Sequence, residues 1–206
     1  MANDRAPSQR PLDRQGEALL DAAGTLLATE GPEALTVRRI AATAGCSTMG
    51  LYTRFGSKDG VVEHLFVDGF ERLQRAMAAA PTTDDALHDL ETLGHTYRRW
   101  ALENATSYGV MFLRTVPDYM ASPEAQAIAI ATFEVLVAAV RRAQEQGHFP
   151  DADPADIAHV LWATSHGHVS LQLVGMSGAG GDPDRLFAIS KHAIVVGLDS
   201  TEARTS

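Results

Sequence analysis

The chain has 206 residues, 45% hydrophobic and 21% charged, a balance that fills a core and excludes a disordered or fibrous protein, while the length allows one ordinary domain or a small module joined to a larger one. Its net charge of −9 counts by itself against a nucleic-acid partner, because neutralisation of phosphate dominates DNA affinity. No uninterrupted apolar run approaches the roughly 18–20 residues that span a bilayer, Met1–Arg14 lacks an apolar signal core, and Cys46 alone permits no intrachain disulfide, so a cytoplasmic protein without a membrane partner is expected.

The charge is unevenly placed. Residues 1–60 hold seven Lys/Arg and seven Asp/Glu, and the rest of the chain holds ten against nineteen, so the two parts face different chemistry. Aromatics are 6% of residues and Ala, Leu, Glu, Gln and Arg outnumber the β-branched types, so the expected fold class is all-α.

From Leu12, the positions Leu19, Leu20, Ala23, Leu26 and Leu27 recur at helical spacing up to Glu30-Gly31-Pro32, which predicts a first helix. Thr36 is a good cap for a two-turn helix carrying Val37, Ile40 and Ala41 and ending at Gly45. Ser47 caps a third over Thr48–Phe55, with Leu51 and Phe55 four apart on one face. Gly56-Ser57 breaks it, and a fourth helix runs over 58–80. Longer helices are predicted over 84–104, 123–146, 154–174 and 183–198, with a short one over 108–115 and a Gly-rich linker at 175–181.

The second and third helices, joined by a four-residue turn containing Gly, form a helix-turn-helix, which can lay its second helix in a major groove. The segment Gly45-Cys46-Ser47-Thr48-Met49-Gly50-Leu51-Tyr52-Thr53-Arg54-Phe55-Gly56-Ser57-Lys58-Asp59 resembles the signature of the tetracycline-repressor (TetR/AcrR) family of bacterial transcription regulators, and the similarity covers about residues 12–65. The resemblance implies a homodimer on a palindromic, double-stranded DNA operator, with a small-molecule effector in the C-terminal part that changes the spacing of the two reading heads. The expected domains are a DNA-binding domain over 12–60 and a ligand-binding and dimerisation domain over 61–200, connected by the helix at 58–80.

The residues support that role. Lys58 puts an ammonium beside free backbone N–H groups at a helix start, and both favour phosphate. Tyr52 offers a hydroxyl on a packed ring. Thr36 and Ser47 at helix N-termini, with Arg38 and Arg39, are further candidates for backbone contacts. Base reading falls to Thr48, Met49 and Gly50, with Thr53 one turn on, where Met and Thr methyls suit thymine methyls and Gly permits close approach. No Arg, Asn or Gln stands at the start of this helix, so modest base specificity is expected. Arg54 occupies a position where the family often has His or Tyr. The N-terminal Arg5, Arg10 and Arg14 extend the basic footprint.

In the acidic remainder, Leu161-Trp162-Ala163-Thr164-Ser165-His166-Gly167-His168-Val169-Ser170-Leu171 resembles the Trp…His-Gly element of one C-terminal domain type among these regulators. The family pairs its last two long helices across a dimer. Here those helices present Val160, Thr164, Gly167, His168 and Leu171 on one, and Leu186, Ile189, Ala193 and Val196 on the other. The same pattern also serves an intramolecular core face. Tyr97, Trp100, Tyr108, Met111, Phe112, Phe133, Trp162 and His166 mark a pocket region suited to a hydrophobic or aromatic effector.

An enzyme is not expected. His159, His166 and His168 share a helix, but there is no His-Glu-x-x-His and no Cys partner, so no metal site is expected. Ser165-His166 lacks a Gly-x-Ser-x-Gly elbow, and Gly175–Gly181 lacks the Gly-Lys-Ser/Thr of a phosphate loop; no cofactor is expected. The competing reading is a helical small-molecule-binding or interaction protein without specific DNA binding.

Overall fold

Asp13 starts the first helix: its carboxylate accepts the Gly16 N–H at 2.8 Å, satisfying a donor that has no partner within the helix. The computed structural model describes residues 12–149, 152–177 and 181–199; Arg5, Arg10 and the middle of the Gly-rich linker lie outside them. Every described element is helical: α1 (Arg14–Glu30), a 3-10 turn (Pro32–Ala34), α2 (Val37–Thr43), α3 (Thr48–Phe55), α4 (Lys58–Ala78), α5 (Ala86–Glu103), α6 (Ala105–Phe112), α7 (Pro123–Glu145), α8 (Pro154–Leu173) and α9 (Pro183–Asp199). The expected all-α class holds. The short helix predicted over 108–115 begins instead at Ala105, immediately after Asn104 interrupts α5, and ends before Arg114, whose φ is +50°.

Two compact units share the chain. One comprises the residues up to Arg72 with Asn104–Ile130, and the other Leu73–Glu103 with the residues from Ala131 on. The first therefore takes in more than residues 12–60, because α1 packs against α6 as well as against α2 and α3. Its core includes Leu19, Ala23, Leu26, Leu35, Ile40, Leu51, Phe55 and Val61, each at most 5% exposed.

Within the second unit, α8 packs on α5 and on α9. Its core joins Ala86 and Leu90 of α5, Val137, Val140 and Ala143 of α7, Phe149, and Ile157, Ala158 and Leu161 of α8. Asp89 anchors the entry to α5: its carboxylate accepts from the Thr83 N–H and hydroxyl and pairs with Arg142 at 2.5 Å. These bonds hold its carboxyl below the ordinary range, the Thr83 N–H contributing most.

By length and composition α7 could cross a membrane, with a stretch of mean hydropathy 1.5, a feature that a search for uninterrupted apolar runs passes over because Gln126, Thr132 and Glu134 break the run. Its Val137, Val140 and Ala143 are buried in the core of the second unit.

Candidate nucleic-acid interface

Three side-chain and backbone devices fix the helix-turn-helix. Thr36 Oγ1 accepts the Arg39 N–H at 3.3 Å at the head of α2, and Ser47 Oγ accepts the Gly50 N–H at 3.0 Å at the head of α3. Between them Gly45 adopts φ +64°, a conformation that costs a side-chain-bearing residue free energy, and the Cys46 N–H reaches back to the Ala41 carbonyl at 2.8 Å. At the far end Gly56 closes α3 at φ +72°, and Ser57 Oγ accepts the Gly60 N–H at 3.0 Å. Gly60 lies so close to α3 that a Cβ there would stand 1.8 Å from the Phe55 carbonyl oxygen.

These constraints sort the faces of α3. Leu51 and Phe55 are buried, and Phe55 meets the His64 ring edge-on at 4.8 Å; the His64 Nδ1–H donates to the Gly60 carbonyl at 2.8 Å. Away from that face Thr53 is exposed, Met49 is 71% exposed and Tyr52 50%, and at the start of the helix Ser47 and Thr48 are exposed. The Thr53 hydroxyl donates to the Met49 carbonyl at 2.8 Å, which leaves its methyl and an acceptor lone pair available. Gly50 is half-buried, with the Gln15 carboxamide and Ser47 Oγ 3.5 Å from where its Cβ would be.

The basic residues divide into two sets. Thr36 and Arg38 are exposed and Lys58 half-exposed, and neither Arg38 nor Lys58 has an ion pair among the described residues. Arg39 and Arg54, expected in the basic footprint, are already engaged. Arg39 holds Glu30 at 2.6 Å. Arg54 grips Asp13 through Nε at 2.7 Å and Nη2 at 2.5 Å, and its Nη1 donates to the Gly50 carbonyl at 3.0 Å. The guanidinium holds the Asp13 carboxyl down at about 2. Asp13 carries the local signal of a helix cap, but nothing local marks its pairing with Arg54 or that of Glu30 with Arg39, because the fold forms these pairs, with Asp13 and Arg54 separated by 41 positions.

The residues expected to line a pocket fall into two groups. In the second unit, Trp162 Nε1–H donates to the Tyr97 oxygen at 3.3 Å, and the Tyr97 hydroxyl and His166 Nδ1 are hydrogen-bonded at 3.3 Å. Phe133 meets Trp162 edge-on at 6.1 Å, and Trp100 is buried on α5. Burial pushes the His166 imidazole below its ordinary pKa, which favours the neutral ring. In the first unit, Tyr108 is fully buried and packs at 4.9 Å on Phe112, which packs at 5.2 Å on Phe70, while Met111 lies against Gly69. No group of three or more His, Cys, Asp or Glu among the described residues is placed to hold a metal.

Along α8 and α9, Val160, Leu171, Leu186, Ile189 and Val196 are 36–53% exposed, Ala193 is exposed, and Thr164 and Gly167 are partly so. His168 differs: its Nε2 bonds Ser190 Oγ at 2.7 Å, joining α8 to α9 within the chain. Beneath this face Lys191 is only 5% exposed. Its stem covers Gly94, where a Cβ would come within 2.2 Å of Nζ. Burial, partly opposed by Glu91, lowers its pKa to about 8.

Residues 19–65 match the family profile described as bacterial regulatory proteins, tetR family, and residues 90–193 match that of the tetracyclin repressor-like C-terminal domain. The chain is 23% identical, over an alignment of 203 residues covering 84% of it and 87% of the relative, to the HTH-type transcriptional regulator Rv1816 of Mycobacterium tuberculosis. Among solved structures it resembles a regulatory protein, SCO4313, with a TM-score of 0.76 and 28% identity, over 91% of this chain and all of that one. It also resembles the TetR-family regulator PfmR of Thermus thermophilus, with a TM-score of 0.67 and 24% identity, over 91% of this chain and all of that one.

Proposed function

The chain belongs to the tetR family of bacterial regulatory proteins and is a DNA-binding transcriptional regulator, and from that premise we propose that it is a homodimeric repressor released from a palindromic operator by a hydrophobic or aromatic effector. It acts in the bacterial cytoplasm, as a regulator and not an enzyme. The observation that carries the reading is the sorting of α3: Leu51 and Phe55 hold one face inside while Thr48, Met49, Tyr52 and Thr53 stand outside. That is the geometry a helix needs in order to enter a major groove without unfolding its own support.

Tyr52, Ser47, Thr36, Arg38 and Lys58 surround this face as phosphate contacts, and Thr48, Met49, Gly50 and Thr53 read base edges. The exposed apolar stripe on α8 and α9 supports pairing with a second copy, which would set two reading helices about 34–36 Å apart, one turn of DNA. An effector that binds one spacing better than the other shifts the population by its differential affinity. Tyr97, Phe133, Trp162 and His166 offer an apolar wall with one polar chain for such a molecule.

The test is selection of fragments of the source genome by the purified protein, followed by anisotropy at two salt concentrations. A palindromic winner bound with steep salt dependence is expected. Lys58→Ala should weaken binding to every duplex and reduce the slope of log affinity against log salt by about 0.9, whereas Met49→Ala should change which sequence is preferred. Enrichment of no sequence, with binding insensitive to salt, would favour the helical binding protein without specific DNA recognition.

A further inference from the structure

The contact between the first turn of α1 and α3 is polar and directional. Asp13 Oδ1 accepts both the Gly16 N–H at 2.8 Å and Arg54 Nε at 2.7 Å, and Oδ2 accepts Arg54 Nη2 at 2.5 Å. Arg54 closes the figure by donating Nη1 to the Gly50 carbonyl one turn back at 3.0 Å. Gln15 extends the same contact to the first turn of α3, beside Gly50. The buried face of α3, next to this contact, is held by Leu51 and Phe55, and apolar packing of two side chains is non-directional, so it fixes depth better than rotation. A two-pronged guanidinium–carboxylate pair fixes both distance and angle.

We infer that Asp13 is a positioning residue for base reading: through Arg54 it sets the rotation of α3, and so the direction in which Thr48, Met49 and Thr53 meet a duplex. The inference rests on α3 as the reading helix. It also removes Arg54 from the phosphate contacts, since three of its N–H groups are spent inside the protein. The contrary arrangement is one in which Arg54 leaves Asp13 for a phosphate when DNA arrives.

The two arrangements predict opposite behaviour in the full-length chain. Asp13→Ser keeps an oxygen able to cap α1 but cannot grip the guanidinium; Arg54→Met keeps the stem; the double variant closes the cycle. The probes are the duplex that the wild-type chain selects from a randomised library and a scrambled duplex of the same base composition. Each single change should lower discrimination between them about tenfold, the scale of one good base contact, with the double variant no worse than either. In Arg54→Met the salt slope should stay at the wild-type value, and repeated selection should return a broader consensus.

Asp13→Asn, which keeps the cap and one acceptor, should lose less and serves if Asp13→Ser melts early. The inference is overturned if discrimination survives Asp13→Ser or Asp13→Asn unchanged, or if Asp13→Ser tightens binding to both duplexes with a steeper slope, as a released Arg54 would. A wild-type chain that binds neither duplex overturns the DNA-binding reading itself, and this inference with it.

Discussion

Lys191 is the residue whose replacement most directly tests the electrostatics of the second unit. Its side chain is 5% exposed on α9 and its pKa stands at about 8 against an ordinary 10.5, chiefly because burial disfavours the charged form. That gap corresponds to about 3 kcal/mol of cost for keeping the ammonium inside the folded chain. At pH 7 the lysine is protonated in both folded and unfolded states, so the cost is fully present. As the pH rises through 8 the folded state gives up its proton first and the unfolded state keeps its own until about 10.5. The cost therefore shrinks to about 1 kcal/mol near pH 9.5. Lys191→Met keeps an apolar stem over Gly94 and removes the charge, so at pH 7 the variant should be more stable by about 2–3 kcal/mol. Urea unfolding at fixed protein concentration, at pH 7 and pH 9.5, measures the difference. A variant less stable than the wild type at pH 7, or a gap that does not narrow at pH 9.5, would refute the assignment of Lys191 as a buried cation only partly offset by Glu91.

Gly60→Ala should destabilise the first unit by about 1–3 kcal/mol, the scale of overpacking, because its Cβ would meet the backbone oxygen of Phe55 rather than a side chain that can swing away; an unchanged thermal midpoint would show that the α3–α4 turn tolerates opening. Ile189→Asp places a carboxylate on the exposed stripe of α9 and should yield a monomer in sedimentation, with weakened binding to a palindrome. A dimer of unchanged affinity would exclude this face as the interface. The Asp13 carboxyl, held at about 2 mainly by Arg54, contributes stability that is present above about pH 4 and is lost as the pH falls through 2. Wild type and Asp13→Asn should therefore differ in thermal midpoint at pH 5 and converge as Asp13 protonates, and equal midpoints at pH 5 would refute that contribution.

Much of the first unit could be read directly from the chain because its determinants are local. Thr36 and Ser47 cap helices by bonding N–H groups three residues on, Gly45 and Gly56 take the positive φ that their turns need, and Leu51 and Phe55 share a face by helical spacing. The exposure of Met49 and Tyr52 follows from the same spacing. On α8 and α9 the period also identified the apolar positions, but a period cannot tell a face turned inward from one turned outward. The fold leaves Val160, Ile189 and Val196 in the open and turns His168 inward to Ser190.

Tertiary structure alone decided which charges are spoken for. Arg54 with Asp13, and Arg39 with Glu30, look like a basic footprint in the chain and are neutral pairs in the fold, because an ion pair depends on distance in space and leaves no periodic trace in sequence. It likewise decided that Lys191 is buried over Gly94, and that Tyr108, Met111 and Phe112 pack in one unit while Tyr97, Trp162 and His166 meet in the other. Helix type and turn chemistry arise from interactions a few residues apart, which a sequence displays. Burial, pairing and partition between units arise from segments tens of residues apart, which only folding brings together.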